Sequence, residues 1–170
     1  MNIYLIWLLR IIHIVAGVFW VGGTLMMTFF IAPTVGATAE AGQKFVGHLM
    51  GNLKFSIRMS AAAGLTILAG LILYWNDSAG FTSAWMTSGA GKGFGIGAGF
   101  AIIGFIFGIL LGNTTKAMAM LGARIQGKPS PEQMTQMQAL QKRQVTYSYL
   151  ASAMLLLSLV FMSIARYLVF

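Results

Sequence analysis

A chain of 170 residues that is 58% hydrophobic and 8% charged, with a mean hydropathy of +0.80, lies outside the composition of soluble domains and reads as an integral membrane protein. The absence of cysteine excludes disulfides, thiolate metal sites and iron–sulfur clusters, leaving His and Met as ligands for a haem iron. The formal charge of +8, from eleven Lys and Arg against three acids, is read in such a chain as membrane topology, and nucleic acid is not an expected partner.

Four apolar stretches are each long enough to cross a hydrocarbon core of about 30 Å, which takes roughly 20 helical residues. The expected fold is therefore all-α: one domain over residues 1–170, with four transmembrane helices in an antiparallel bundle. The first span runs from Ile3 to Ala32 and ends at Pro33; it lacks the basic start and small-residue cleavage site of a signal peptide and is read as retained. Within it Arg10, His13, Gly17, Trp20 and Thr24 recur at helical spacing and share one stripe. From Thr34 to Lys54 the chain carries Glu40, Lys44 and His48, and the helix formers of Glu40–Met50 predict a helix at or beyond the interface.

The second span, Phe55 to Trp75, holds Ala61, Ala62, Ala63, Gly64 and Gly70, small residues that admit a neighbouring backbone, and Asn76 to Gly80 ends it. A short aromatic-flanked segment through Trp85 leads to the third span, Gly93 to Gly112. Its glycines repeat at fours, and Gly93, Gly97, Gly104 and Gly108 fall near one stripe that predicts close helix contact, within the chain or with a partner. The period continues through Met118, Leu121 and Ile125 until Gly127-Lys128-Pro129. Ser130, Pro131 and Gln133 are an N-cap, an N1 proline and a capping-box partner.

No breaker follows before Arg166, so this last helix runs into the fourth span, Tyr147 to Tyr167, and reaches about 50 Å, too long for the bilayer alone. Helices 3 and 4 are thus expected to extend as a hairpin, with Met118, Leu121 and Ile125 facing Met134, Met137 and Leu140. Lys44, Lys54, Arg58, Lys116, Arg124, Lys128, Lys142 and Arg143 lie on the hairpin's side of the membrane and only Arg10, Lys92 and Arg166 on the other, which places the hairpin in the cytoplasm and both termini outside.

Ionisable groups inside a bilayer are costly and mark functional sites by default, which singles out His13, about 15 Å below the outer surface. Two readings stand: an axial ligand to haem b, with Gly17 leaving room for the porphyrin face, or a hydrogen bond to a carbonyl or hydroxyl of a neighbouring helix. His48 sits about 20 Å or more away and cannot share the iron, so the other axial side falls to Met, Lys, water, a partner chain or nothing. Arg10, Lys92 and Arg166 gather near the outer interface with Asp77 as the one nearby carboxylate, an arrangement that calls for an anion such as haem propionates or lipid phosphates, or for snorkelling to water. Twelve methionines invite a copper reading, but Met26 and Met27 are adjacent and diverge, and Met118, Met120, Met134 and Met137 lie on the hairpin. No nucleophile with a base, paired carboxylates or phosphate-cradling loop is present, which argues against an enzyme.

The run His13-Ile-Val-Ala-Gly-Val-Phe-Trp20-Val-Gly-Gly23 followed by Pro33, with Lys128-Pro-Ser-Pro-Glu132, Gln138-Ala-Leu-Gln-Lys-Arg143 and Met162-Ser-Ile-Ala-Arg166-Tyr167, resembles the copper-resistance-protein-D-like superfamily of small bacterial membrane proteins, and its uncharacterised four-helix members in particular. That superfamily includes copper-uptake proteins and a haem-dependent protoporphyrinogen oxidase with a first-helix histidine and a third-helix lysine. His13 and Lys92 are the matching positions; the oxidase's further polar positions are not evident here, so the resemblance implies the superfamily and not the enzyme. The expectation is a bacterial inner-membrane protein that binds haem b through His13, with Arg10, Gly17, Trp20, Lys92 and Arg166 around it, as an accessory or electron-transfer subunit. The alternative is a haem-free scaffold or assembly subunit that binds membrane proteins or a second copy through its glycine helix; copper transport and porphyrinogen oxidation rank below both.

Overall fold

The computed structural model describes residues 1–125 and 127–169. Helix α1, Ile3–Met26, is capped by the Asn2 side chain, which accepts from the Tyr4 N–H at 3.0 Å, and it passes through one π turn, Met27–Ile31, into α2, Ala32–Ala37. Helices α3 (Ala39–Gly51), α4 (Phe55–Asp77), α5 (Gly89–Arg124) and α6 (Pro131–Ile164) follow, and no strand occurs among the described residues. Four stretches, Ile3–Ala37, Phe55–Asp77, Gly89–Arg124 and Pro131–Tyr167, are long and apolar enough to cross a membrane, which fits a multi-pass membrane protein.

The first span does not stop at Pro33. A proline inside a helix removes a donor and presses its ring against the carbonyl four residues back. Here the π turn immediately precedes it: the Ala32 N–H reaches back five residues to the Met27 carbonyl, which widens the ladder before the ring arrives. The hydroxyl of Thr34 donates to the Phe30 carbonyl at 2.7 Å, so a side chain satisfies an acceptor there. The helix therefore continues one further turn and ends at Ala37.

Elsewhere the elements follow the sequence signals closely. The helix expected over Glu40–Met50 is α3, with an exposed Lys44–Glu40 pair at 2.8 Å one turn apart. The Ser130 hydroxyl accepts from the Gln133 N–H at 3.2 Å while the Gln133 side chain accepts from the Ser130 N–H at 2.9 Å, a complete capping box that starts α6. The same hydroxyl donates to the Glu132 carboxylate at 2.7 Å, which holds that carboxyl below its usual range. The 36 residues of α5 and 34 of α6 give rods of about 50 Å at 1.5 Å per residue, well beyond a bilayer core.

Two helix pairs build the bundle, α5 with α6 and α1 with α4, joined by lesser contacts of α1 with α6 and of α4 with α5. Contacts ascend α5 as they descend α6: a Cβ at Gly89 would strike the Leu168 carbonyl, at Gly93 Ala165, at Gly97 Phe161 and Met162, and at Gly104 Leu155. On the other pair His13 meets Gly70, Gly17 meets Thr66 and Gly23 meets Met59. The four helices converge on one small core, where Trp20, Ala62, Ala63 and Leu155 are buried and Phe105 packs against them. The Trp20 and Phe105 rings meet edge to face at 6.1 Å.

One sequence expectation changes here. Gly104 lies in the α5–α6 seam, but Gly108 has nothing within 4 Å of where a side chain would begin. Eleven residues bring Gly108 back to within about 20° of Gly97 around the helix, so rotation does not separate them; what differs is that no neighbouring atom comes within 4 Å at the level of Gly108. Gly104→Leu is expected to lower stability by about 1–3 kcal/mol through overpacking against Leu155, read as a lower melting temperature in detergent, whereas Gly108→Leu melts like the parent. Equal loss at both positions would show that Gly108 also lies in a contact.

Candidate functional site

The half-buried His13 sits between α1 and α4. Its Nδ1 lies 2.8 Å from the Thr66 carbonyl oxygen. A carbonyl only accepts, so Nδ1 carries the proton and the lone pair of the neutral ring is on Nε2. Gly70, one turn beyond Thr66 on α4, makes this possible: a Cβ there would stand 2.8 Å from His13 Cε1 and 3.0 Å from Nδ1. The missing side chain is the notch that receives the ring.

The rest of the stripe is occupied by protein. Gly17, expected to leave room for a flat ligand, is met by the Thr66 methyl 3.4 Å from its virtual Cβ. Thr66 is itself buried, and its hydroxyl donates to the Ala62 carbonyl at 2.8 Å. Trp20 is 6% exposed and belongs to the central core, while Thr24 donates to the Trp20 carbonyl at 2.8 Å. From His13 to Trp20 this face of α1 turns inward, with α4 over His13 and Gly17, while Arg10 stays exposed.

Arg10, Lys92 and Arg166 are exposed and lie toward one end of the bundle. That common level follows from a chain of contacts: His13 beside Gly70, the Tyr74 hydroxyl donating to the Gly91 carbonyl at 3.2 Å, and Gly93 against Ala165. An aromatic cluster covers the same end of α4 and α5, with Tyr74 5.3 Å from Trp85, Trp75 5.1 Å from Phe81 and Trp85 6.3 Å from Phe94 between ring centres. Aromatic belts of this kind settle at the headgroup level, where cations also end. His48 is exposed on α3 at the other end, near the turn into α4, and does not approach His13. No group of three or more His, Cys, Asp or Glu side chains that could hold a metal occurs among the described residues.

Sequence reasoning missed Thr66 as a partner, because a backbone carbonyl leaves no residue-type signal; only Gly70, read as a small residue for close approach, pointed to the place. It also missed a second polar contact, where the buried Ser152 hydroxyl of α6 donates to the Thr28 hydroxyl in the π turn at 3.0 Å. Set against family profiles, curated proteins and solved structures, the chain matches none.

The Gly70 notch can be tested without any ligand. Gly70→Ala is expected to cost about 1–3 kcal/mol by pushing the ring off its carbonyl, while Gly64→Ala on the same helix, with nothing within 4 Å, melts like the parent. In a His13→Ala background the Gly70→Ala penalty disappears. A Gly70→Ala variant as stable as the parent would mean that the imidazole does not fill the notch.

Proposed function

We propose that this is a bacterial inner-membrane protein, an antiparallel four-helix bundle whose functional centre is His13, and that it serves as an accessory or electron-transfer subunit holding b-type haem. One observation carries the reading: the Nδ1–H of His13 is committed to the Thr66 carbonyl, so Nε2 is the nitrogen left to ligate. A histidine that binds a metal through one ring nitrogen usually donates its other N–H to a carbonyl or carboxylate, which fixes the ring and raises its basicity. Haem, when bound, would supply a one-electron couple; His13 would hold its iron, and the cations Arg10, Lys92 and Arg166 toward the same end of the bundle would meet its propionates. The Thr66 methyl stands against Gly17, so α4 takes the face that was expected to admit a flat ligand.

The second reading is a haem-free scaffold or assembly subunit. It is favoured by the same closure, because His13, Gly17 and Trp20 all have protein partners and form a finished helix interface. Absorption decides between them. Protein purified from haem-replete cells is expected to show a Soret band that is lost in His13→Ala and kept in His48→Ala; a colourless parent leaves the scaffold reading.

The proposed orientation puts the α5–α6 hairpin in the cytoplasm. In this cysteine-free chain, a single cysteine at the exposed Lys128 is expected to react with an impermeant maleimide only from the cytoplasmic side, and one at the exposed Thr82 only from outside. Thr82 is the better outer position than its neighbour, because the Ser83 hydroxyl is buried. The opposite labelling pattern would reverse the bundle.

A further inference from the structure

Arg58 stands within the apolar band of the bundle. It follows the first turn of α4, beside Met59, whose sulfur fills the space at Gly23 of α1, so it lies at about the level of Gly23. Past that level α1 and its π turn still present Met26, Phe29 and Phe30 outward. From Gly23 to Phe30 is seven residues, about 10 Å at 1.5 Å per residue. Exposed rings there belong in hydrocarbon, so the apolar band runs beyond Arg58 toward this end. On α4 itself the exposed Ile57 and Leu65 flank it, and Arg58 is exposed as well.

A cation in that place needs an anion or water. The chain offers no carboxylate. Of its three, Glu40 is bonded to Lys44 at 2.8 Å, Glu132 accepts from the Ser130 hydroxyl, and Asp77 lies at the opposite end of α4. Water is reached by leaning toward the helix N-terminus, the direction in which Cα–Cβ bonds tilt. That path leads to the exposed Lys54, one turn earlier, whose carbonyl accepts from the Arg58 N–H at 3.1 Å. Like charges one turn apart oppose each other, and snorkelling brings these two closer.

A phosphate between them answers both cations: the planar guanidinium can take two of its oxygens, and the Lys54 ammonium adds a point charge. Its carrier must also tolerate hydrocarbon beside Arg58. A soluble anion does not, whereas a phospholipid lays acyl chains against Ile57 and Leu65 while its headgroup stays at the level of Lys54.

We infer that Arg58 and Lys54, at the end of α4 that follows α3, form a headgroup site for one anionic phospholipid whose acyl chains run along the outward face of α4. The site does not depend on what His13 holds.

The test is native mass spectrometry of the full chain from neutral detergent, with phosphatidylglycerol and phosphatidylcholine of the same acyl chains added in turn. One phosphatidylglycerol is expected to be retained about tenfold better than phosphatidylcholine. Lys54→Gln with Arg58→Gln, both on the surface, is expected to abolish that preference at unchanged melting temperature in phosphatidylcholine nanodiscs, and Lys128→Gln to leave it intact. Glycerol phosphate, the headgroup without chains, is expected to compete only at far higher concentration. Four results would each overturn the inference: equal retention of the two lipids, a preference untouched by the double change, the same loss from Lys142→Gln with Arg143→Gln, which would spread the preference over all cations at this end, or displacement by glycerol phosphate at the concentration of the lipid, which would make the ligand a soluble phosphate.

Discussion

Helices in a bilayer gain nothing by hiding apolar side chains from lipid tails, so their association depends on how closely backbones can approach and on hydrogen bonds made between them. That constraint explains why the best-defined contacts in this chain sit at glycines. Gly93, Gly97 and Gly104 let α5 close on Ala165, on Phe161 and Met162, and on Leu155, and Gly70 brings α4 onto the His13 ring of α1. The core shows the same economy, with alanines and one fully buried leucine around Trp20 where a soluble bundle would use layers of large aliphatics. Large apolar residues such as Ile14, Val15, Val18 and Leu68 point outward, which is costly in water and natural in hydrocarbon.

Polar groups are placed by the same rule. Intramembrane hydroxyls fold back onto carbonyls one turn earlier, as Thr66 does on Ala62 and Thr114 on Leu110, and so cost little. His13 and Thr28 instead reach another helix, and each has a backbone feature that lets it do so. For His13 it is the Gly70 notch. For Thr28 it is the π turn, whose extra residue rotates the following face and turns this hydroxyl toward Ser152. Pro33 lies just beyond that turn, so one irregularity both accommodates the proline and makes an α1–α6 hydrogen bond.

Most of the architecture was legible because it rests on local signals. Apolar run length gave the four spans, and Ser130, Pro131 and Gln133 placed the start of α6 to the residue. Periodicity marked the polar stripe of α1, and α4 meets it at His13 and Gly17 while Arg10 stays exposed. What could not be read was which helix meets which. The Thr66 carbonyl belongs to every residue type alike, and whether Gly17 is open or filled depends on the rotation of α4, which small residues all along Phe55–Asp77 leave undetermined. Gly104 and Gly108 look equivalent in a repeat of fours, yet only the registry against Leu155 separates the buried one from the exposed one. The proline at 33 misled for a similar reason, since its rule holds for a regular ladder and the ladder there is not regular.

The distribution of contacts also orders the bundle mechanically. The α5–α6 seam is continuous from Gly89 and Leu168 at one end to Thr115 and Gln144 at the other, so those two helices and their extension form one stiff lever. Helices α1 and α4 form a second unit through His13, Gly17 and Gly23. Between the units the ties include the central core of Trp20, Ala62, Ala63 and Leu155 with the Trp20–Phe105 edge contact, the Ser152–Thr28 hydroxyl pair and the Phe29–Tyr149 ring contact toward one end, and the Tyr74 hydroxyl on the Gly91 carbonyl toward the other. The two pairs meet through fewer contacts than each holds within itself. His13 and its Thr66 partner belong to a single pair, so their hydrogen bond does not depend on how the two pairs meet.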